Sequence, residues 1–143
     1  MPLIELLYSS YTAIGKEVNI AELVDQAAHK NKLSGITGCL LASDSEFFQV
    51  LEGDRAEVMT LFDKIRVDSR HFGVNLIWSA EIKERAFGDW SMLCRKIKNP
   101  SLAFTGKLTT GRQLFEIIRP EILKSEQFQH INLNHCNASG KVA

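Results

Sequence analysis

Two helix-start signals, each lying between short apolar runs, constrain the fold of this chain more than any other feature. Asn19-Ile20-Ala21-Glu22 and Asp54-Arg55-Ala56-Glu57 both place a side-chain acceptor three residues ahead of a glutamate, the spacing of a capping box. After the first, Ile20, Leu23, Val24, Ala27 and Ala28 recur at helical spacing and predict a helix to about Asn31. After the second, Val58, Leu61, Phe62 and Ile65 predict a helix that ends near Asp68. The run LIELLY, Leu3 to Tyr8, is apolar on both faces apart from Glu5 and reads as a buried strand with Ile4, Leu6 and Tyr8 on one face. Gly35 and Gly38 punctuate a second strand, about Ile36 to Ala42, and Ser43-Asp44-Ser45 turns it into a third, Glu46 to Leu51, which Gly53-Asp54 ends. Gly73 to Ala80 and Ser91 to Ile97 read as two more strands, joined by the polar segment IKERAFGDW with a turn of helix. The order β-α-β-β-α-β-β predicts an α+β, ferredoxin-like sandwich: a mixed five-stranded sheet with two helices on one face.

At 143 residues and 45% hydrophobic composition the chain suits one domain plus some extra sequence. Residues 1–98 are expected to form that domain. After Lys98-Asn99-Pro100 the composition turns polar, and Leu114, Phe115, Ile117 and Ile118 then suggest a helix that Pro120 must kink or end. Residues 99–130 are therefore expected to be a helical cap and 131–143 a fraying tail. Lys+Arg and Asp+Glu both total 17, so no net field draws in nucleic acid or an anionic membrane. No run reaches the length of a membrane span and the start MPLIELLYSS lacks the pattern of a signal peptide, so a cytoplasmic setting is expected. Cys39, Cys94 and Cys136 match neither a disulfide framework nor a zinc pattern and are read as reduced thiols, the first two in the core.

A few residues do not look like core filler. Strand alternation puts Phe47, Gln49 and Leu51 on one face, so a primary amide sits inside the apolar run FFQVLEG. A buried amide with unmet donors and acceptors costs about 1–3 kcal/mol, so Gln49 needs partners, and Tyr8 on the inward face of the first strand is a phenol able to be one. The ordinary alternative is a solvent-facing glutamine on an edge. Asn31 in KNKLSGITG either caps its helix or points at a polar ligand. Asp68, Arg70 and His71 form either a solvated turn or a cluster that grips a polar or anionic group. Trp90 and Met92 share one face of the last strand and are ordinarily packing residues.

Taken in order, Tyr8 at the end of strand one, KNKLSGITG, FFQVLEG, the DSRHF segment and FGDWSM resemble the BLUF family of blue-light sensors that use FAD, over roughly residues 2 to 98. The resemblance implies a flavin held non-covalently between the two helices, FAD first, with FMN or riboflavin as alternatives. Leu23 and Ile65 would flank its ring and Phe47 would line the slot. Asn31 would hydrogen-bond the pyrimidine edge, and Lys64, Asp68, Arg70 and His71 would contact the ring edge or the ribityl and phosphate tail. Lys30 stands where many relatives carry Asn or His, and either reaches the pyrimidine carbonyl or points to water. Gln49 would bond flavin N5 or O4 and the Tyr8 hydroxyl. In the family, light draws an electron and then a proton from the tyrosine and leaves the glutamine rotated or tautomerised, with a new bond to flavin O4. Trp90 and Met92 match a Trp-x-Met that relays the change through the last strand.

No substrate bond is broken in such a cycle, so the chain is expected not to be an enzyme. With no segment resembling a cyclase or phosphodiesterase, it is expected to be the short type, signalling to a separate protein in trans or through a homo-oligomer. Three rivals share the fold. An acylphosphatase-like hydrolase needs a phosphate-cradling loop and an arginine that Ser9-Ser10-Tyr11-Thr12 does not supply. A flavin-dependent redox enzyme needs a substrate pocket beside the ring. A cofactor-free interaction module would purify without colour.

Overall fold

The computed structural model describes residues 2–12, 20–43, 45–96 and 112–113. Its elements run β1 (Leu3–Thr12), α1 (Ile20–Leu33), β2 (Thr37–Ala42), β3 (Glu46–Asp54), α2 (Arg55–Arg66), β4 (His71–Glu81) and β5 (Leu93–Lys96). The strands form one sheet in the order β4-β1-β3-β2-β5. The pairs β4/β1, β1/β3 and β3/β2 are antiparallel, and β5 joins β2 in parallel, so the sheet is mixed as expected.

Local chemistry explains the joints. The Ser43 hydroxyl accepts from the backbone N–H of Glu46 at 3.0 Å and closes the β2–β3 hairpin. The Asp54 carboxylate accepts from the Ala56 N–H at 2.9 Å and caps α2. After α1 the chain turns through Gly35 at φ 66°, a left-handed conformation that favours glycine at a helix end.

Strand alternation sorts the core into two faces. On one, Ile4, Leu6 and Tyr8 of β1 and Phe47 and Leu51 of β3 pack with Val24 and Ala28 of α1 and with Val58 and Phe62 of α2. Both helices therefore cover the same face. On the other, Leu7, Cys39, Leu41, Phe48 and Val50 pack with Ala86, Phe87, Trp90 and Leu93, so the β4–β5 connection folds over the sheet opposite the helices.

The structure differs from the sequence reading at several points. β1 continues four residues beyond Tyr8 to Thr12, because Ser9 and Tyr11 find ladder partners in both β3 and β4; Tyr8 lies in mid-strand rather than at its end. β3 likewise continues through Glu52 and Gly53. The IKERAFGDW segment forms turns and bends without a helical turn, since its Ala86 and Phe87 N–H groups bond a carboxylate across the sheet instead of a preceding carbonyl. β5 begins only at Leu93, so strand alternation does not govern residues 90–92, and Trp90 and Met92 enter opposite faces of the sheet. Cys39 is a free buried thiol, and Cys94 is buried as well, so both lie in the core as expected. The expected cap over 99–130 and tail over 131–143 fall outside the described residues, apart from helical 112–113, where Arg112 meets Glu84 at 3.5 Å and the Arg85 carbonyl at 3.2 Å.

Candidate functional site

A cavity of about 320 Å³ opens between α1 and α2 over the sheet, and every expected binding residue lines it. Leu23, Lys30 and Asn31 come from α1, spaced so that one helical face turns inward. Lys64 and Ile65 come from α2. Tyr8, Phe47 and Gln49 rise from the sheet floor, and Asp68, Arg70 and His71 close one end where the chain turns from α2 into β4. Trp90 does not line the cavity; it packs on the far face of the sheet. Sequence reasoning missed the polar Gln26 and Thr60 on the walls. Both sit one helical turn from a residue that was singled out, Lys30 and Lys64, and that spacing could have found them.

The floor carries a polar chain inside apolar surroundings. Tyr8 and Gln49 are direct register partners across β1 and β3, which brings their side chains together. The Tyr8 hydroxyl donates to Gln49 Oε1. Gln49 is 6% exposed and its Nε2 donates to the Met92 sulfur at 3.6 Å, a weak acceptor. The second amide N–H of Gln49 has no protein partner among the described residues. Asn31, nearly fully buried in the last turn of α1, donates from Nδ2 to the Ser91 carbonyl at 2.9 Å, so it ties α1 to the segment leading into β5 rather than capping its own helix. Its Oδ1 is also without a protein partner among the described residues.

Electrostatics hold Tyr8 neutral. Burial raises its pKa well above the ordinary phenol value, and the nearby Asp68 carboxylate raises it further. Asp68 itself is held at about 2, chiefly by hydrogen bonds from the Arg70 side chain, which approaches to 2.6 Å, and from the Arg70 backbone N–H. His71 lies between backbone and sheet: Nε2 is 2.6 Å from the Ile65 carbonyl, which can only accept, so Nε2 carries the proton. In the neutral ring Nδ1 then accepts from the Ser10 hydroxyl at 2.7 Å. The ring stands edge-on to Tyr8 and to Phe47, with centroids 6.4 Å and 6.3 Å away.

Apolar walls on two helices, spare amide donors and acceptors on the floor, and cations at one end suit a flat aromatic ligand with a polar edge and an anionic tail. The fold and site thus define a ferredoxin-like binding domain for a planar, partly polar cofactor. Comparison with known proteins sharpens this. Residues 3–93 match the family described as BLUF, sensors of blue-light using FAD. The photoactivated adenylate cyclase subunit alpha of Euglena gracilis is 39% identical over 87 residues, 60% of this chain but 8% of that subunit. The blue light- and temperature-regulated antirepressor BluF of Escherichia coli is 34% identical over 88 residues, 61% of this chain and 22% of the relative. Among solved structures, the dark state of the BLUF protein BlrB superposes with a TM-score of 0.69 at 27% identity, covering 86% of this chain and 97% of BlrB. The chain belongs to the BLUF family of FAD-dependent blue-light sensors. It spans about a tenth of the length of the cyclase subunits that it matches.

Proposed function

We propose that this chain is a blue-light receptor in which the Gln49 amide is the switch, Tyr8 its proton donor and Met92 its first reporter. The observation that carries the reading is the position of Gln49: one end of its amide takes the Tyr8 hydroxyl, the other holds the Met92 sulfur, and one N–H is left over at the cavity wall. Leu23 and Ile65 would flank the flavin ring, Phe47 would line the slot, and Asn31 and Gln49 would bond its polar edge. Lys64, Arg70 and His71 would meet the ring edge or the ribityl and phosphate tail, with Asp68 fixing Arg70, and Lys30 would reach the pyrimidine carbonyl or point to water. At about 320 Å³ the cavity lies at the small end of ligand pockets, a size that would suit the flavin ring common to FAD, FMN and riboflavin.

Bound there, the flavin supplies absorption of blue light and, once excited, an acceptor for an electron and a proton. The protein supplies the rest. Tyr8 keeps its proton in the dark because burial and Asp68 disfavour the phenolate, and among the described residues that proton has one hydrogen-bonded exit, Gln49 Oε1. Half a turn of the amide would set Oε1 against the Met92 sulfur. A thioether accepts but does not donate, so that arrangement has no bond and Met92 is released. Met92 is one residue ahead of β5, which pairs with β2 from Cys39↔Leu93 onward, so the release biases the packing of that edge strand.

Output passes from the sensor, residues 1–98, through the 99–130 segment, with 131–143 a tail. The chain breaks no substrate bond; it acts on a signalling protein in trans or on a second copy of itself, in the cytoplasm. The blue light-regulated antirepressor, 34% identical over 88 residues, supports a role in trans, and the photoactivated cyclase subunit, 39% identical over 87 residues, supports a light-driven one. Among the described residues no helix is long and apolar enough to cross a membrane. The test is optical: purified protein should be yellow and show a small reversible red shift under blue light, which Tyr8→Phe should abolish while keeping the flavin. Colourless protein would favour the cofactor-free interaction module, and an unchanged shift in Tyr8→Phe would remove Tyr8 from the switch.

A further inference from the structure

Gln49 is not the only side chain of β3 that grips the segment before β5. Three residues along, on the opposite face of the sheet, Glu52 is 0% exposed. Its Oε2 accepts from the Ala86 N–H at 2.6 Å, and its Oε1 accepts from the Phe87 N–H at 2.9 Å and from the Thr37 hydroxyl at 3.0 Å. Two consecutive backbone N–H groups converging on one carboxylate form a small anion-binding concavity built from the chain itself. Arg85 closes it from the side, donating to the Thr37 hydroxyl at 2.8 Å and to the Glu52 carbonyl at 3.1 Å. Glu5, the register partner of Glu52 on β1, shares its face and is tied down by the Trp78 indole N–H at 3.0 Å.

The grip continues toward the cavity. The Trp90 N–H donates to the Phe87 carbonyl at 3.0 Å, and the Gly38 N–H of β2 donates to the Trp90 carbonyl at 3.1 Å. Beyond that point Asn31 holds the Ser91 carbonyl and Gln49 holds the Met92 sulfur, both from the cavity face. Residues 85–92 are thus held at one end by a carboxylate that takes three donors through both of its oxygens and at the other by an amide with an N–H to spare. A segment pinned at one end passes a displacement at the other end onward along the chain; an unpinned one absorbs it in its turns.

We propose that Glu52 is a positioning residue that pins Ala86 and Phe87, so that rearrangement at Gln49 is delivered to β5 instead of being absorbed in the β4–β5 connection. The proposal rests on the light-switch reading above. Because Glu52 and the cavity lie on opposite faces of the sheet, flavin and output separate cleanly. The experiment is backbone hydrogen exchange in the dark and under blue light on the full chain, with the flavin red shift recorded on the same samples. In the parent the light-induced change should lie in 91–96 and leave 85–90 unaffected. Glu52→Gln keeps the shape but replaces one acceptor by a donor facing N–H groups. It should retain the red shift, lose the light-induced change in 91–96, and show that change in 85–90.

Thr37→Val removes a hydroxyl donor to the carboxylate and an anchor of Arg85 while leaving both backbone grips. It should shift the pattern in the same direction but less, and it decides the matter should Glu52→Gln fail to fold. An exchange pattern identical to the parent in whichever of these variants folds would overturn the proposal. A parent without any red shift would instead defeat the switch reading on which it stands.

Discussion

β1 and β3 carry two buried polar pairs in register, three positions apart: Tyr8 with Gln49 facing the helices, and Glu5 with Glu52 facing the β4–β5 connection. The first pair is neutral, its members bond each other, and Gln49 keeps an N–H in reserve against a weak sulfur acceptor. The second sets two carboxylates on neighbouring positions of the same face, an arrangement that is unfavourable unless each finds donors. Each does, Glu5 from Trp78 and Glu52 from two backbone N–H groups and a hydroxyl. The lesson is that burial alone does not make a polar residue a switch. A donor in reserve on an amide whose two ends can exchange makes one, and a carboxylate held through both oxygens by several donors makes an anchor.

That contrast can be broken most severely at the anchor. Glu52→Ala leaves two buried backbone N–H groups unpaired, at about 1–3 kcal/mol each, so thermal or urea unfolding should show a loss of about 2–6 kcal/mol. Gln49→Leu fills the same volume but leaves one buried hydroxyl, that of Tyr8, without its acceptor, so it should cost about 1–3 kcal/mol, less than Glu52→Ala, while its effect on the optical response is complete. A Gln49→Leu protein as destabilised as Glu52→Ala would erase the distinction between the two pairs. Met92→Leu removes the sulfur acceptor at similar volume. Its unfolding free energy should change by less than about 1.5 kcal/mol, its red shift should persist, and its light-induced exchange change in β5 should shrink.

The smallest expected effect is at the cavity end. Asp68 has its pKa lowered from 3.8 to about 2 by Arg70, so its contribution is fully present above pH 3.8 and fades as pH falls toward 2. Both side chains of that ion pair are partly exposed, so screening holds the contribution below about 1 kcal/mol. Asp68→Asn should therefore lower stability near neutrality by less than about 1 kcal/mol, flatten the stability curve between those two pH values, and leave stability below about pH 2 unchanged.

The order of elements along the chain and both helices were legible because their signals are local: capping residues, helical spacing and a two-serine turn. Gln49 was legible for a related reason, an amide breaking an apolar alternation, and Tyr8 could be matched to it on faces alone. Glu52 stands in the same FFQVLEG run and breaks the same alternation on the other face, yet Gly53-Asp54 made it look like the end of the strand. Its backbone donors lie more than thirty residues away in a segment with no periodicity, which local signals do not reach. The same distance hid the Asn31 bond to Ser91. Trp90 and Met92 were assigned to one face by strand alternation that begins only after them.

The central claim, that the Gln49 amide is what light rearranges, is tested most directly by the light-minus-dark absorption spectrum of flavin-loaded Gln49→Leu. The account predicts a yellow protein with no reversible red shift. A shift of parental size in that variant, with flavin bound, would contradict it.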